Sequence, residues 1–210
     1  MKNIFSIFKK KKSVDPENVS EDFVQDDSIL VGYTNINEQI ITYSTALTFF
    51  NPNLSILDVG CGRGDLFAFM KEQYEDVFLD SNYYGIDNNE IVINAGKQKY
   101  NIDNIHLQNF NSFKTDVKYN WVSALNYFND PVEDKYKSLY NTVDKLFNTC
   151  TDAVVFNVIT NQADIQQDQE SLYSIYDAGQ ILNHLTTVYK KVIVRADYLL
   201  GDTMFYVFKK

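Results

Sequence analysis

Short apolar runs alternate with segments of helical periodicity along most of this chain, and this alternation restricts the fold more than any other feature. Each run has the length of a β-strand, and the helical segments carry apolar residues three and four positions apart. Parallel strands need a crossover connection, which a helix normally supplies, so the alternation predicts a parallel sheet with helices on both faces. The runs that predict the first five strands are Ser55 to Val59, Tyr83 to Ile86, Ile105 to Leu107, Trp121 to Leu125 and Ala153 to Val158.

The last part of the chain departs from this alternation. Two strand-like runs, Val192 to Tyr198 and Met204 to Phe208, are joined by a connection too short for a helix, and Asp177 is predicted to cap the helix before them. The final strand must therefore return antiparallel to its predecessor. Together these patterns predict an α/β, three-layer Rossmann-like fold with a seven-stranded, mostly parallel sheet that ends in an antiparallel hairpin of the sixth and seventh strands (β6–β7).

The composition narrows the possible partners. With 210 residues the chain has the size of one domain, and its formal net charge of −9 repels phosphate backbones, which disfavours long nucleic acid as a partner. Cys61 and Cys150 are the only cysteines and suggest no disulfide framework, which favours a reducing, cytoplasmic location. His106 and His184 have no partner at ligand spacing, so no metal site is predicted. No run is long enough to cross a bilayer.

Residues 9–28 differ in composition from the rest of the chain, because they are rich in charged and small polar residues and have few apolar ones. We interpret residues 1–28 as a mobile, Lys-rich leader and residues 29–210 as one folded domain. Two interpretations of the lysines are open: weak docking to an anionic membrane, a nucleic acid or a partner protein, or a solvated tail. These lysines are Lys9, Lys10, Lys11 and Lys12.

The first predicted strand ends in a glycine-rich turn that enters a helix. Gly60, Gly62 and Gly64 alternate with other residues, and Asp58 stands two positions before the first glycine. Glycines let the backbone turn sharply and let a ligand approach closely, and the N–H groups at the start of a helix suit a carboxylate. The spacing G-x-G-x-G differs from that of the dinucleotide fingerprint.

Polar residues also end the second and third predicted strands. Asp87 follows the second run, where an acid can accept hydrogen bonds from both ribose hydroxyls of a nucleoside. Gln108 and Asn109 follow the third run, where a side chain or the backbone can meet an adenine amino group. The carboxyl ends of parallel strands share one edge of the sheet, so we expect a nucleoside site at that edge.

These features resemble the class I S-adenosylmethionine-dependent methyltransferases. The resemblance is carried by LDVGCGRGDL around the glycine turn, by YGIDNNE around Asp87 and by the closing hairpin, and it extends from about Gly32 to Lys210. A finer likeness is to small methyltransferase-domain proteins of bacteria and their phages. It is carried by Val31-Gly32-Tyr33 with Gln39, by Phe128-Asn129 and by Phe156-Asn157.

The resemblance implies S-adenosylmethionine as cofactor and assigns roles to individual residues. The glycines of the turn approach the methionine portion, Asp58 stabilises the turn or meets the ammonium group, and Asp87 binds the ribose. Asn88 flanks the adenine, and Asn109, where many members have Asp, accepts a hydrogen bond from the adenine amino group. The implied cofactor-binding residues are Asp58, Gly60, Cys61, Gly62, Gly64, Asp87, Asn88, Asn109 and Asn126.

Several of these residues also have a purely structural interpretation. Asp58 can serve only to staple the turn, and Asp87 can serve only to cap the following helix. Asp65 is expected to be a helix N-terminal acid without a ligand role. Both histidines are expected to be packing or surface residues.

The methyl acceptor is expected beside the end of the fourth strand. Catalysis rests mainly on holding donor and acceptor in near-attack geometry, so a general base is not obligatory. The segment lacks the Asn-Pro-Pro-aromatic and Pro-Cys signatures of DNA methyltransferases, which together with the charge favours a small-molecule or protein acceptor. Two alternatives stay open: a non-catalytic S-adenosylmethionine-binding accessory protein and a nicotinamide-dependent oxidoreductase. The candidate catalytic residues are Asn126, Tyr127 and Asp130.

Overall fold

The computed structural model describes residues 32–33, 35–75, 77–163 and 172–209. The predicted leader and its lysines lie outside these ranges, so the boundary at residue 28 and the docking role stay predictions. The described residues form helices α1 Ile36–Ala46, α2 Asp65–Tyr74, α3 Glu90–Tyr100, α4 Lys135–Thr149 and α5 Ala178–Val188. They form strands β1 Ile56–Val59, β2 Tyr83–Asp87, β3 Ile105–Leu107, β4 Tyr119–Ala124, β5 Cys150–Ile159, β6 Lys191–Arg195 and β7 Asp202–Phe208.

The seven strands form one sheet in the order β3-β2-β1-β4-β5-β7-β6. The pairs among β1 to β5 are all parallel, whereas β7 is antiparallel to both of its neighbours, β5 and β6. The predicted α/β fold with a reversed last strand is therefore confirmed. The order of the strands reverses at β1, and in open α/β sheets ligands bind beyond the carboxyl ends of the strands at such a point.

The two faces of the sheet are covered by different helices, which gives the predicted three layers. On one face α1, α2 and α3 bury side chains such as Ile40, Met70 and Ile93. On the other face α4 and α5 do the same with side chains such as Val143 and Ile181. β1, β2, β4, β5 and β7 contribute residues to both apolar clusters, as expected for strands that are buried on both sides, whereas the edge strands β3 and β6 contribute to one cluster each.

Most strand ends lie within two residues of the sequence prediction, and two strands differ from it by three residues at one end. The ladder of β6 ends at Arg195, short of the predicted Tyr198, and beyond it the carboxylate of Asp197 pairs with the Arg195 guanidinium at 2.9 Å. β5 begins at Cys150, which pairs with Tyr119 of β4, earlier than the predicted Ala153, because the polar Thr151 and Asp152 interrupt the apolar pattern within the strand. Hydrophobic patterning detects only the buried middle of such a strand.

Other local predictions are confirmed. The Asp177 side chain accepts a hydrogen bond from the Gln180 N–H and caps α5. His106 stacks on Tyr84 and His184 stacks on Tyr140, so both imidazoles are packing groups. Among the described residues, no helix has the length and apolar character needed to cross a membrane.

Candidate cofactor site

A cavity of about 530 Å³ opens at the carboxyl ends of β1, β2 and β4. Its volume lies in the usual range for small-molecule and cofactor sites. Of the residues that the sequence proposed for the site, Gly64 alone does not line the cavity. The proposed residues that do line it are Asp58, Gly60, Cys61, Gly62, Asp87, Asn88, Asn109, Asn126, Tyr127 and Asp130.

The glycine turn is held against the end of β2 by backbone hydrogen bonds. The N–H groups of Gly60 and Cys61 both donate to the Ile86 carbonyl, at 2.8 and 3.0 Å. Gly60 has a φ of 74°, and a Cβ there would lie 2.9 Å from the ring of Tyr127. The glycine is required because the turn is left-handed and an aromatic ring lies directly over it.

Gly64 has a packing role. It begins α2 with a φ of 79°, and a Cβ at this position would lie 3.3 Å from the Ile105 side chain. The structure thus gives this glycine a place between α2 and β3, away from the cavity where the resemblance put it.

Asp87 connects the glycine turn to the start of α3. One carboxylate oxygen accepts a hydrogen bond from the Gly62 N–H at 2.9 Å, and the other accepts one from the Asn89 N–H at 2.8 Å. The cap of α3 is Asn89, whose side chain accepts from the Ile91 N–H. Asn89, and not Asp87, is therefore the residue that caps α3. Asp87 lines the cavity, and each of its carboxylate oxygens keeps a further lone pair that can accept a hydrogen bond.

Asp58 lies in the floor of the cavity and is almost fully buried. Its two oxygens accept hydrogen bonds from the Tyr83 hydroxyl at 2.6 Å and from the Ser123 hydroxyl at 2.8 Å. Burial raises the pKa of the Asp58 carboxyl to about 6, and the two hydroxyl donors offset part of this rise. The sequence did not identify either partner, because both stand among apolar strand residues far along the chain.

The pKa of Asp58 predicts how one substitution changes the pH dependence of stability. A pKa that is higher in the folded than in the unfolded chain makes the carboxyl lower the stability as the pH rises from about 4 to about 6. Asp58→Asn should therefore raise the free energy of unfolding at pH 8 relative to pH 5 by about 1.4 kcal/mol, compared with the wild type. Urea unfolding of both proteins at the two pH values measures this difference. An equal pH dependence in the two proteins would contradict a raised pKa.

One end of the cavity is shaped by the connection between β3 and β4. The Asn109 side chain accepts a hydrogen bond from the Asn111 N–H at 2.8 Å, and Phe110 is buried and lines the cavity. The Lys145 ammonium, on α4, donates to the carbonyls of Phe110 and Asn111, the latter at 3.0 Å. This lysine ties the connection to α4, and no pattern in the sequence pointed to it.

The other end of the cavity is aromatic. Tyr127 packs edge-to-face on Phe128, and burial raises the pKa of its hydroxyl. Tyr33 and Tyr43 also line the cavity and pack edge-to-face on each other. Tyr43 lies in α1, and helical periodicity in a sequence cannot separate a core residue of a helix from one that borders a cavity.

The charges of the cavity are of one sign. Within the described ranges, its lining contains the carboxylates of Asp58, Asp87 and Asp130 and no lysine, arginine or histidine. Asp130 is exposed at the rim. An anionic ligand group is therefore disfavoured next to these carboxylates, whereas a neutral or cationic group is not.

The sheet order, the reversed β7 and the glycine turn over a cavity define a Rossmann-like methyltransferase fold, and solved structures with this fold support that class. One is the magnesium protoporphyrin IX methyltransferase ChlM from Synechocystis PCC 6803 with bound SAH, which has a TM-score of 0.62 and 14% identity over 93% of this chain and 100% of that chain. Another is the plantazolicin methyltransferase BpumL in complex with a pentazolic desmethylPZN analog and SAH, with a TM-score of 0.61 and 14% identity over 90% and 94% of the two chains. The methyltransferase domain of bacterial CtHen1 has a TM-score of 0.59 and 14% identity over 83% of this chain and 100% of that domain. At these identities the likeness establishes the fold.

The family follows from the sequence comparison. Residues 50–197 match the family described as "Methyltransferase domain", and the chain belongs to that family. The class predicted from the glycine turn and the hairpin, that of the class I S-adenosylmethionine-dependent methyltransferases, is thereby confirmed. No curated protein sequence matches the chain significantly.

Proposed function

We propose that this methyltransferase binds S-adenosylmethionine in the cavity and transfers its methyl group to a neutral or cationic acceptor, a small molecule or a protein side chain. The observation that carries the proposal is the hydrogen bond between the glycine turn and the Asp87 carboxylate. An acceptor-only carboxylate and a turn whose left-handed positions are glycines meet at the switch point of the sheet, where the Gly62 N–H and Asp87 are 2.9 Å apart.

The residues present fit the parts of S-adenosylmethionine. Gly60 and Gly62 leave room for the methionine portion, the free lone pairs of Asp87 suit the ribose hydroxyls, and Asn88 and Asn109 border the adenine end. When bound, the cofactor supplies a methyl group on a positively charged sulfonium. The ring of Tyr127, which lies over the glycine turn, offers a face that attracts positive charge.

Methyl transfer is an in-line displacement at carbon, so the protein acts mainly by holding the two reactants in near-attack geometry. Asn126, Tyr127 and Asp130 border the part of the cavity beyond the glycine turn, and we assign the acceptor to that part. Asp130 is placed to hold a cationic or hydrogen-bond-donating acceptor group. The negative lining favours such acceptors over phosphates and carboxylates, which agrees with the disfavoured role of long nucleic acid.

Incubation with methyl-labelled S-adenosylmethionine and a fractionated lysate tests the acceptor class. We expect label in the small-molecule or the protein fraction, and its loss when excess unlabelled S-adenosylhomocysteine competes for the cavity. Label confined to nucleic acid would overturn the proposed acceptor class. Calorimetric binding of the cofactor without label in any fraction would favour the accessory-protein alternative. A calorimetric heat of binding with NAD(H), and none with S-adenosylmethionine or S-adenosylhomocysteine, would favour the oxidoreductase alternative.

A cytoplasmic location, in a bacterium or a phage-infected cell, completes the proposal. It is supported by Cys61 and Cys150, which are both buried free thiols, as is usual in a reducing compartment. The finer likeness to small bacterial and phage proteins, which includes Phe156-Asn157, also supports it.

A further inference from the structure

Four residues from separate parts of the chain form a hydrogen-bonded group beside the cavity, which we call the Asn157 clasp: Gly32, Asn126, Asn157 and Asp202. Asn157 lies in β5 and is 1% exposed. Its Nδ2 donates to the Asn126 Oδ1 at 2.8 Å and to the Asp202 carboxylate at 2.8 and 3.0 Å. Its Oδ1 accepts from the Asn126 backbone N–H at 2.7 Å.

Asp202 determines which way the Asn157 amide faces. A carboxylate can only accept hydrogen bonds, so the NH₂ group of Asn157 must point toward Asp202. The amide oxygen is then left to face the Asn126 N–H, which needs an acceptor. If the amide were turned over, its oxygen would face the carboxylate and its NH₂ group would face another donor.

Asn126 in turn connects the clasp to the cavity. It has a φ of 55°, a left-handed conformation that is uncommon for residues other than glycine, and it lines the cavity. Its Nδ2 donates to the Gly32 carbonyl at 3.3 Å, directly before Tyr33, which also lines the cavity. The Nδ2 of Asn126 therefore links the turn after β4 to the segment that precedes α1, and its Oδ1 links the same turn to Asn157 in β5.

The carboxylate of Asp202 is maintained at a cost to stability. Burial raises the pKa of this carboxyl to about 6, and Glu38 on α1 adds to the rise, while the Asn157 amide partly offsets it. Tyr33 and Tyr198 are the other titratable groups near it. A neutral residue of the same shape would remove this cost, so a role in orienting Asn157 accounts for the acid at this position.

We infer that Asn157 and Asp202 are positioning residues, which hold the Asn126 turn and the Gly32–Tyr33 segment in the geometry that binds the cofactor. This inference rests on the proposed function, because the effect is on the same cavity. It gives a role to Asn157, which the sequence marked only as part of a family likeness.

Asp202→Asn separates this role from a purely structural one. The new side chain has the shape of aspartate, but it can present either its oxygen or its NH₂ group to Asn157. The Asn157 amide therefore loses the fixed orientation that the carboxylate imposes. At pH 8 we expect a melting temperature equal to or above that of the wild type, because a buried charge is removed. The dissociation constant for S-adenosylhomocysteine, measured by calorimetry, should nevertheless rise about fivefold to tenfold. An unchanged dissociation constant would overturn the inference.

Asn120→Ala is the matched control. Asn120 also bridges three strands with its amide, since it contacts Ser55, Thr151 and Asp152, but it does so at the opposite edge of the sheet. Asn157→Ala should weaken S-adenosylhomocysteine binding about tenfold, whereas Asn120→Ala should lower stability and leave the affinity unchanged. Equal losses of affinity in the two variants would mean that Asn157 acts only through stability.

Hydrogen exchange tests the clasp without any ligand. In Asp202→Asn the backbone N–H of Asn126 should exchange faster than in the wild type, and the rate for Asn120→Ala should stay at the wild-type value. If the wild type binds neither cofactor form, the proposed function fails, and the exchange rates still decide whether the clasp holds Asn126. If the wild type binds and both readouts are unchanged in Asp202→Asn, only the clasp inference fails.

Discussion

Gly96→Ala should lower the free energy of unfolding by about 3 kcal/mol or more and should also abolish measurable cofactor binding. Gly96 is buried in α3, and a Cβ there would lie 2.1 Å from the Arg63 carbonyl oxygen and 2.6 Å from its carbonyl carbon. These are backbone atoms of the glycine turn, so no side-chain rotation can relieve the overlap. Either α3 or the turn must move, and both border the cavity.

The expected change in the free energy of unfolding is opposite in sign to the change that helix propensity alone predicts. By helix propensity alone, alanine in place of a helical glycine should raise stability by about 1 kcal/mol. Gly179→Ala in α5 is the matched control, because its Cβ would meet only the Asp177 side-chain oxygen, at 3.1 Å. Urea unfolding followed by circular dichroism, with calorimetry for S-adenosylhomocysteine, measures both effects. A Gly96→Ala protein as stable as Gly179→Ala would show that α3 does not approach the turn this closely.

Asp87→Ala should weaken binding of S-adenosylhomocysteine about a hundredfold or more. The substitution removes the carboxylate proposed to accept from both ribose hydroxyls, and hydrogen bonds to a charged group are stronger than neutral ones. It also removes the acceptor of the Gly62 N–H, so the glycine turn loses one of its links to β2 and keeps those of Gly60 and Cys61 to the Ile86 carbonyl. The shift in melting temperature that the ligand produces in the wild type should largely disappear.

Two further variants isolate the cause. Asp80→Ala removes another carboxylate near β2, but that group is exposed and pairs with Lys71 on the surface, so its loss should leave the affinity unchanged. Asp87→Asn keeps one amide oxygen for the Gly62 N–H while it removes the charge, and its affinity should be intermediate. Wild-type affinity in Asp87→Ala would exclude this residue from the ribose role.

The sequence was sufficient for the architecture because the relevant signals are local. Strand length, helical periodicity and the short connection before Met204 each depend on neighbouring residues, and they predicted the sheet and its reversed last strand correctly. The ends of elements were less accurate, as at β5, because pairing with β4 and β7 extends the strand past its apolar part. The cap of α3 was assigned to Asp87 as an alternative, although Asn89 is the residue whose side chain reaches the helix N–H.

The groups that support the site were beyond the reach of sequence patterns. Ser123 and Asp58 are 65 positions apart, and Asn157 and Asp202 are 45 apart. Only the register of β1 with β4, and of β5 with β7, brings each pair together. A polar residue in an apolar strand signals that it needs a partner, but it does not say which one.

The position of β1 has a mechanical consequence for the cavity. β1 is paired on both sides, by β2 and β4, whereas the three-residue β3 is an edge strand that pairs only with β2. Local opening costs most in doubly paired central strands and least at short edges. The wall of the cavity that carries Gly60 is therefore stiff, and the wall that carries Asn109 moves more easily. Ligands with larger groups should accordingly be accommodated beside Asn109 and excluded beside Gly60.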